Sequence, residues 1–297
     1  MKRFIYLFPC LIGGLLSCTF TNKPVSQSIR INYPEPIPDK TGITFLPDIV
    51  SKEGLDFNAA FSRDGKTFYF SRSDKRKYII YESKFGGKQW EEPVPSSLFD
   101  TVYSNTDPFI TPDGSIYFIS NRPKDNSDKI NDYDIYRLGK QNGKWAEPEY
   151  LKEINSDSTE YYVSVSDNGN IYFASYRDGN LDLYMSKKSG HHFKKPETLG
   201  TIINSGFDEH DPFIAPDESF LIFTSNRPGN MGEADLYIAH RKNNQWQEPV
   251  NMGDRINTIT YDYCPNVSPD GKYFFYSSER DVKWINAEFL KNYGSNN

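Results

Sequence analysis

Carboxylate and amide side chains recur at one level of five related segments of this sequence: Asp56, Asn105, Glu160, Glu209 and Asp262. Two residues further along each segment stand Asn58, Asp107, Tyr162, Asp211 and Cys264. Side chains alternate along a strand, so residues two apart share a face. Five such strands set around an axis would therefore carry two polar rings near one mouth of a channel. Oxygen-rich rings suit Ca²⁺ or another divalent cation when six or more ligands converge. Spacing decides whether a cation is needed: at about 5 Å and an effective dielectric constant near 20 each carboxylate pair repels by roughly 3 kcal/mol, against about 0.5 kcal/mol at about 8 Å in water. A tight ring calls for a cation or a raised pKa, whereas a wide, wet ring calls for neither. Three readings stand side by side: acceptors for backbone N–H groups of the neighbouring segment, a water-filled polar channel, and a cation site.

Other chemistry is sparse. The chain has no His-Glu-x-x-His, Cys-x-x-Cys, Gly-x-Ser-x-Gly or phosphate-cradling glycine loop. Of the four histidines, His191 and His192 fall in a hairpin loop, and only His210 lies at the level of the rings. Strand alternation aims His210 away from Glu209 and Asp211. Cys264 has no histidine near it in sequence and reads as a small buried residue. Tyr103, Tyr161, Tyr261 and Tyr263 fall just before or at the start of the same segments, where their rings would face a channel mouth and stack on a sugar or clamp a peptide. The acidic loop holding Asp125, Asp128, Asn131, Asp132 and Asp134 lacks the glycine and terminal glutamate of a calcium loop and reads as a solvated insertion.

The elements that would position these residues repeat. Turns read Ser62-Arg63-Asp64-Gly65, Thr111-Pro112-Asp113-Gly114, Ser166-Asp167-Asn168-Gly169, Ala215-Pro216-Asp217-Glu218 and Ser268-Pro269-Asp270-Gly271, with third residues at 64, 113, 168, 217 and 270. A period of about 50 residues suits one four-stranded propeller blade. Each turn is followed by an aromatic, β-branched run such as Ile116-Tyr117-Phe118-Ile119-Ser120, fit for a strand buried on both faces. A third strand follows as Asp134-Ile135-Tyr136, Asp182-Leu183-Tyr184 or Asp235-Leu236-Tyr237. A fourth segment opens with Trp90-Glu91-Glu92-Pro93, Trp145-Ala146-Glu147-Pro148, Phe193-Lys194-Lys195-Pro196 or Trp246-Gln247-Glu248-Pro249, and its proline argues for an outer edge strand. The fifth repeat lacks that segment, and Phe45-Leu46-Pro47-Asp48-Ile49-Val50 resembles it at the other end of the chain. The sequence thus predicts an all-β propeller of five four-stranded blades closed by an N-terminal strand, which removes the open edge.

These motifs resemble the TolB-like family of β-propeller repeats over roughly residues 43 to 290. The resemblance implies a propeller that binds a protein or a peptidoglycan-associated partner in a bacterial envelope. Arg122, Arg177 and Arg227 recur with Asp134, Asp182 and Asp235, and the first repeat has Ser73 and Ile79 at those two places. Arginine and carboxylate on adjacent strands form bidentate pairs, so these are expected to clip each blade. Arg280 lacks that aspartate and is expected to turn to Asp281.

Lys2 and Arg3 precede an apolar stretch from Phe4 to Leu16, and Leu15-Leu16-Ser17-Cys18 resembles a bacterial lipobox. This implies a signal peptide over 1–17, acylation at Cys18, a lipid-anchored tether over 18–42 and a propeller over 43–297. The stretch is shorter than the ~20 residues of a membrane span. An outer-membrane lipoprotein facing the periplasm is expected, with surface exposure as the other orientation. The formal charge of −6 becomes −8 once Lys2 and Arg3 leave, which disfavours nucleic acid as a partner. The expected function is a binding or scaffold module without cofactor. The alternatives are a carbohydrate-active or lactone-cleaving enzyme with a metal at the channel, using Asp107, Glu160, Glu209, His210 and Asp211, and a glycan-binding accessory lipoprotein.

Overall fold

The computed structural model describes residues 29–293, apart from 53, 75–76, 126 and 129–130. The expected signal peptide and Cys18 lie outside the described residues. Five antiparallel sheets surround one axis, each entered by its innermost strand. The inner strands are Leu55–Phe61, Asn105–Ile110, Glu160–Val165, Glu209–Ile214 and Tyr263–Val267, and each pairs with the aromatic strand after its turn. Blade 5 is completed from the N-terminus: Ile43 pairs with Trp284 and Thr44 with Lys283, and Phe45 N–H donates to Val282 O at 2.8 Å. The pairing strand thus lies immediately before the segment expected to provide it, with Phe45 continuing the ladder. Residues 31–33, within the stretch expected to be tether, pack on the ring. Ile31 is buried, Tyr33 Oη donates to Asp270 at 2.7 Å and Trp90 Nε1 donates to Asn32 O at 2.9 Å.

The outer strands are two residues long and begin after the aromatic-x-x-Pro motifs: Val94–Pro95, Glu149–Tyr150, Glu197–Thr198 and Val250–Asn251. Trp145, Phe193 and Trp246 instead belong to short hairpins that precede them. Proline at or before so short an outer strand leaves no needed N–H unpaired.

Alternation on the second strands explains the core. Ile116 and Phe118 pack toward blade 1, while Tyr117 and Ile119 pack toward blade 3. Ile171 and Phe173 face blade 2, and Tyr172 and Ala174 face blade 4. Each interface between neighbouring blades thus holds its own apolar cluster, and Phe45 seals the last one against Phe68, Phe275 and Trp284. Burying aromatic and aliphatic side chains on both faces contributes about 1.5–3 kcal/mol per side chain before entropy is counted.

The turn glycines adopt positive φ, from 68° at Gly65 to 82° at Gly114, and Glu218 takes that place in blade 4 at 60°. Its carboxylate accepts from Ser166 Oγ (2.8 Å) and Asn170 Nδ2 (2.6 Å) of blade 3 and from Arg241 Nη1 (2.9 Å). These bonds, two of them between blades, offset the strain of a side chain in the left-handed region.

Candidate functional site

The upper ring of polar residues is consumed by the fold. Glu160 accepts from Ser156 N–H (3.1 Å) and Oγ (2.5 Å), Ser175 Oγ (2.8 Å) and Arg177 Nη2 (3.0 Å). Glu209 repeats this with Ser205 N–H (2.7 Å) and Oγ (2.6 Å), Ser225 Oγ (2.8 Å) and Arg227 Nη2 (3.0 Å). Asp56 takes Lys52 N–H and Arg72, and Asp262 takes Thr258 N–H at 2.6 Å. Asn105 donates to Asp100 O at 2.7 Å and accepts from Arg122 at 2.9 Å. In the four carboxylate blades the backbone donor stands four residues upstream, so each acid ties the connection between blades to the start of an inner strand. Burial raises the pKa of Glu160 and Asp262 against these donors.

The arginine pairing expected from sequence is corrected here. Arg177 and Arg227 reach the inner-strand acids Glu160 and Glu209, not Asp182 and Asp235. Asp235 is already supplied by Met231 N–H at 2.8 Å and Asn251 Nδ2 at 2.7 Å. Arg122 meets Asp100 and Asn105 instead of Asp134. Blade 1 does have an arginine, Arg72, opposite Asp56 at 2.6 Å, and Arg280 Nε donates to Gly54 O. Each of the four clasping guanidiniums also lies over aromatic rings, as Arg227 does over Phe223 and Tyr237 at 5.2 and 5.0 Å.

The second ring is a ring of bulges. Every inner strand shifts register there, and all five residues have positive φ: Asn58 62°, Asp107 53°, Tyr162 40°, Asp211 51° and Cys264 51°. An extra residue in one strand breaks alternation and re-aims its side chains. The freed N–H groups of blades 1 and 2 go to serines of the preceding blade: Asn58 to Ser277 Oγ and Asp107 to Ser71 Oγ, both at 3.0 Å.

The bulges open on a cavity of about 480 Å³ at the strand-start mouth. Its floor holds Asp107, Asp211 and Cys264, with Cys264 Sγ 3.9 Å from Asp107 Oδ1 and 3.4 Å from Asp211 Oδ2. Aromatic rings form its wall. Tyr133, Tyr78, Phe57, Tyr263, Tyr261 and His210 follow one another with centroids 5.4–6.5 Å apart, and Tyr161 with Tyr176 adds a pair at 6.1 Å. His210 does not point away from Asp211: the bulge brings its Nδ1 to 3.1 Å from Asp211 Oδ1, and its Nε2 lies 2.6 Å from Tyr261 Oη. Below the floor Tyr162, 1% exposed, crosses from blade 3 to donate to Pro265 O of blade 5 at 2.8 Å. A second cavity, of about 730 Å³, begins beyond it among Ala59, Phe109, Phe213 and Asn266.

No protein-family model matches the sequence, and no curated protein matches it at a significant level. Among solved structures, a protein of Agrobacterium tumefaciens described as TolB superposes with a TM-score of 0.51 at 18% identity, over 76% of this chain and 70% of that one. The fold is that of a TolB-like β-propeller. TolB of Acinetobacter baumannii gives 0.49 at 15% identity over 80% of this chain and 56% of that chain. A gluconolactonase of Xanthomonas campestris gives 0.48 at 9% identity over 84% and 96%.

In this propeller the mouth gathers Asp107, Tyr161, His210, Asp211, Tyr261, Tyr263 and Cys264 of the residues singled out from sequence. Asp56, Asn105, Glu160, Glu209 and Asp262 do not line the cavity, and Tyr103 lies 5.8 Å from the Arg122 guanidinium instead. Tyr133 and Tyr176 were missed because they come from the connections between second and third strands, and Tyr78 because it opens a third strand just after such a connection. In an antiparallel meander those connections lie at the same end as the inner-strand starts, and that was the available signal. Among the described residues no group of three or more His, Cys, Asp or Glu side chains is placed to hold a metal ion.

Burial and then the charge of Asp211 push the Asp107 carboxyl well up, and burial with both aspartates pushes up the Cys264 thiol. Asp107 therefore holds its proton to higher pH folded than unfolded, and stability falls as pH rises from about 4 toward its raised folded value. Asp107→Asn, which tolerates positive φ and does not titrate, is expected to stabilise the protein by about 1 kcal/mol at pH 8 and less at pH 5. Urea unfolding at both pH values measures this; a variant no more stable than wild type at pH 8 would show that the carboxylate is not a stability cost.

Proposed function

We propose that this chain is a lipid-anchored binding propeller of the bacterial envelope, held by Cys18 and engaging a partner protein through its strand-start mouth. One observation carries the reading: the face of the ring on which the aromatic-walled cavity opens also carries exposed apolar side chains. Val102 is 76% and Ile259 83% exposed, and Phe207 and Met231 are each 44% exposed. Val102, Phe207 and Ile259 belong to the connections that lead into inner strands, and Met231 to a second-to-third-strand connection. Apolar side chains grouped around a concave aromatic site mark an interaction surface, whereas singly scattered ones do not. Among the described residues no helix is long and apolar enough to cross a membrane.

Photo-crosslinking in cells tests this. A benzophenone amino acid at Val102 or Ile259 is expected to trap a discrete partner, and one at Lys66 on the opposite face is not. Identical adducts from both faces, or none from the mouth, would remove the proposal.

The Asp211–His210–Tyr261 chain favours a second reading, a carbohydrate-active or lactone-cleaving enzyme. An aspartate orients an imidazole in the manner of a general base. Burial pushes the Tyr261 hydroxyl up, so Tyr261 would serve as a donor and not as a nucleophile. A sugar stacked on the tyrosine belt without chemistry would be the glycan-binding form of the same site.

A further inference from the structure

Resting on the reading of the mouth as the binding site, we propose that it recognises a primary ammonium group, that of a lysine side chain presented by an extended partner segment. The lining contains Asp107, Asp208 and Asp211 and no lysine or arginine. Both floor carboxylates approach the same Cys264 sulfur, so they are near one another, and the basic side chain beside them in the lining is the His210 imidazole, 3.1 Å from Asp211 Oδ1. The three lining carboxylates, Asp107, Asp208 and Asp211, offer acceptors to the N–H donors of an ammonium group, which has no acceptor of its own. A planar guanidinium presents five donors in a rigid fork and suits a flat bidentate partner better.

The wall suits the rest of such a side chain. Phe57, Tyr78, Tyr133, Tyr161, Tyr261 and Tyr263 offer ring faces to a cation and apolar surface to its four-carbon stem. An anionic ligand would face three carboxylates and no lysine or arginine in the lining. A purely apolar side chain would strand the floor oxygens away from water, at a cost that grows with burial.

The test uses the full chain and two blocked pentapeptides, Gly-Ser-Lys-Ser-Gly and its norleucine counterpart, which keeps the stem and lacks the charge. Calorimetric titration is expected to show the lysine peptide binding about tenfold or more tightly. In Asp211→Asn, whose side chain suits positive φ and keeps an oxygen for Cys264 N–H, the ratio is expected to fall to about one with the norleucine affinity unchanged. Asp107→Asn gives a second variant should the first lose its fold. Equal affinities for the two peptides, or no binding of either, overturns the inference. Rim crosslinks that persist in that case leave the binding mouth standing, whereas their loss removes both.

Discussion

Arg227→Met is expected to destabilise the propeller by about 3–5 kcal/mol, because it leaves the fully buried Glu209 carboxylate without its counter-charge. The guanidinium also donates to Ser225 Oγ and to Ile203 O at 2.7 Å, so its loss frees a carbonyl of the inter-blade connection as well. Ser205 and Ser225 still donate to the carboxylate, which places the effect toward the lower end of that range. Adding Glu209→Gln removes the stranded charge and keeps an acceptor for Ser205 N–H, and it is expected to recover about half of the loss. Urea unfolding of both singles and the double closes the cycle. A single variant within about 1 kcal/mol of wild type would show that the serine donors alone satisfy the acid. Blade 5 makes that outcome a real alternative, since Asp262 is held by Thr258 and Ser278.

The blades were legible because each rests on short-range rules that agree with one another. Pro-Asp-Gly turns, period-two aromatic strands and a missing fourth strand at one end leave few topologies, and Ile43–Thr44 fills the gap. The clasps were half legible. Arginine and acid recur together, but two acids flank the same second-strand serine: Ser225 pairs with Glu209 on one side and with Asp235 on the other. Which of them takes the guanidinium depends on whose other donors are already in place, and those come from connections with no repeat signal.

The mouth was legible only in its membership. Asp107 and Asp211 were placed at one level by counting from the turns, yet the same count set His210 and Asp211 on opposite faces. The bulge that reverses this is written in backbone dihedrals, with Asp211 at φ 51°. Asn and Asp tolerate that region well, so three of the five bulge residues match their conformation, and Tyr162 and Cys264 do not announce it.

That mismatch at Tyr162 leads to the second large effect. If backbone conformation alone governed this position, asparagine or aspartate would stand there as in blades 1, 2 and 4. A tyrosine held at φ 40° carries strain of order 1–3 kcal/mol, which its side chain offsets by filling the axis against Phe57 and Cys264 and by bonding Pro265 O. Phe57, Asp107, Asp211 and Cys264 line one cavity, and Ala59, Phe109, Phe213 and Asn266, two residues further along the same strands, line the other, so the level that Tyr162 fills separates the two. Tyr162→Ala is expected to cost about 3–5 kcal/mol and to lower the melting temperature by roughly 10 °C. Tyr162→Phe keeps the partition and is expected to cost about 1 kcal/mol, the share of the hydrogen bond. The two variants also differ in access: Cys264, 2% exposed in the native propeller, is expected to react with a water-soluble disulfide reagent in folded Tyr162→Ala and to remain protected in Tyr162→Phe. Equal protection in both would mean that the channel is closed by Phe57 and the tyrosine belt, and that Tyr162 serves packing alone.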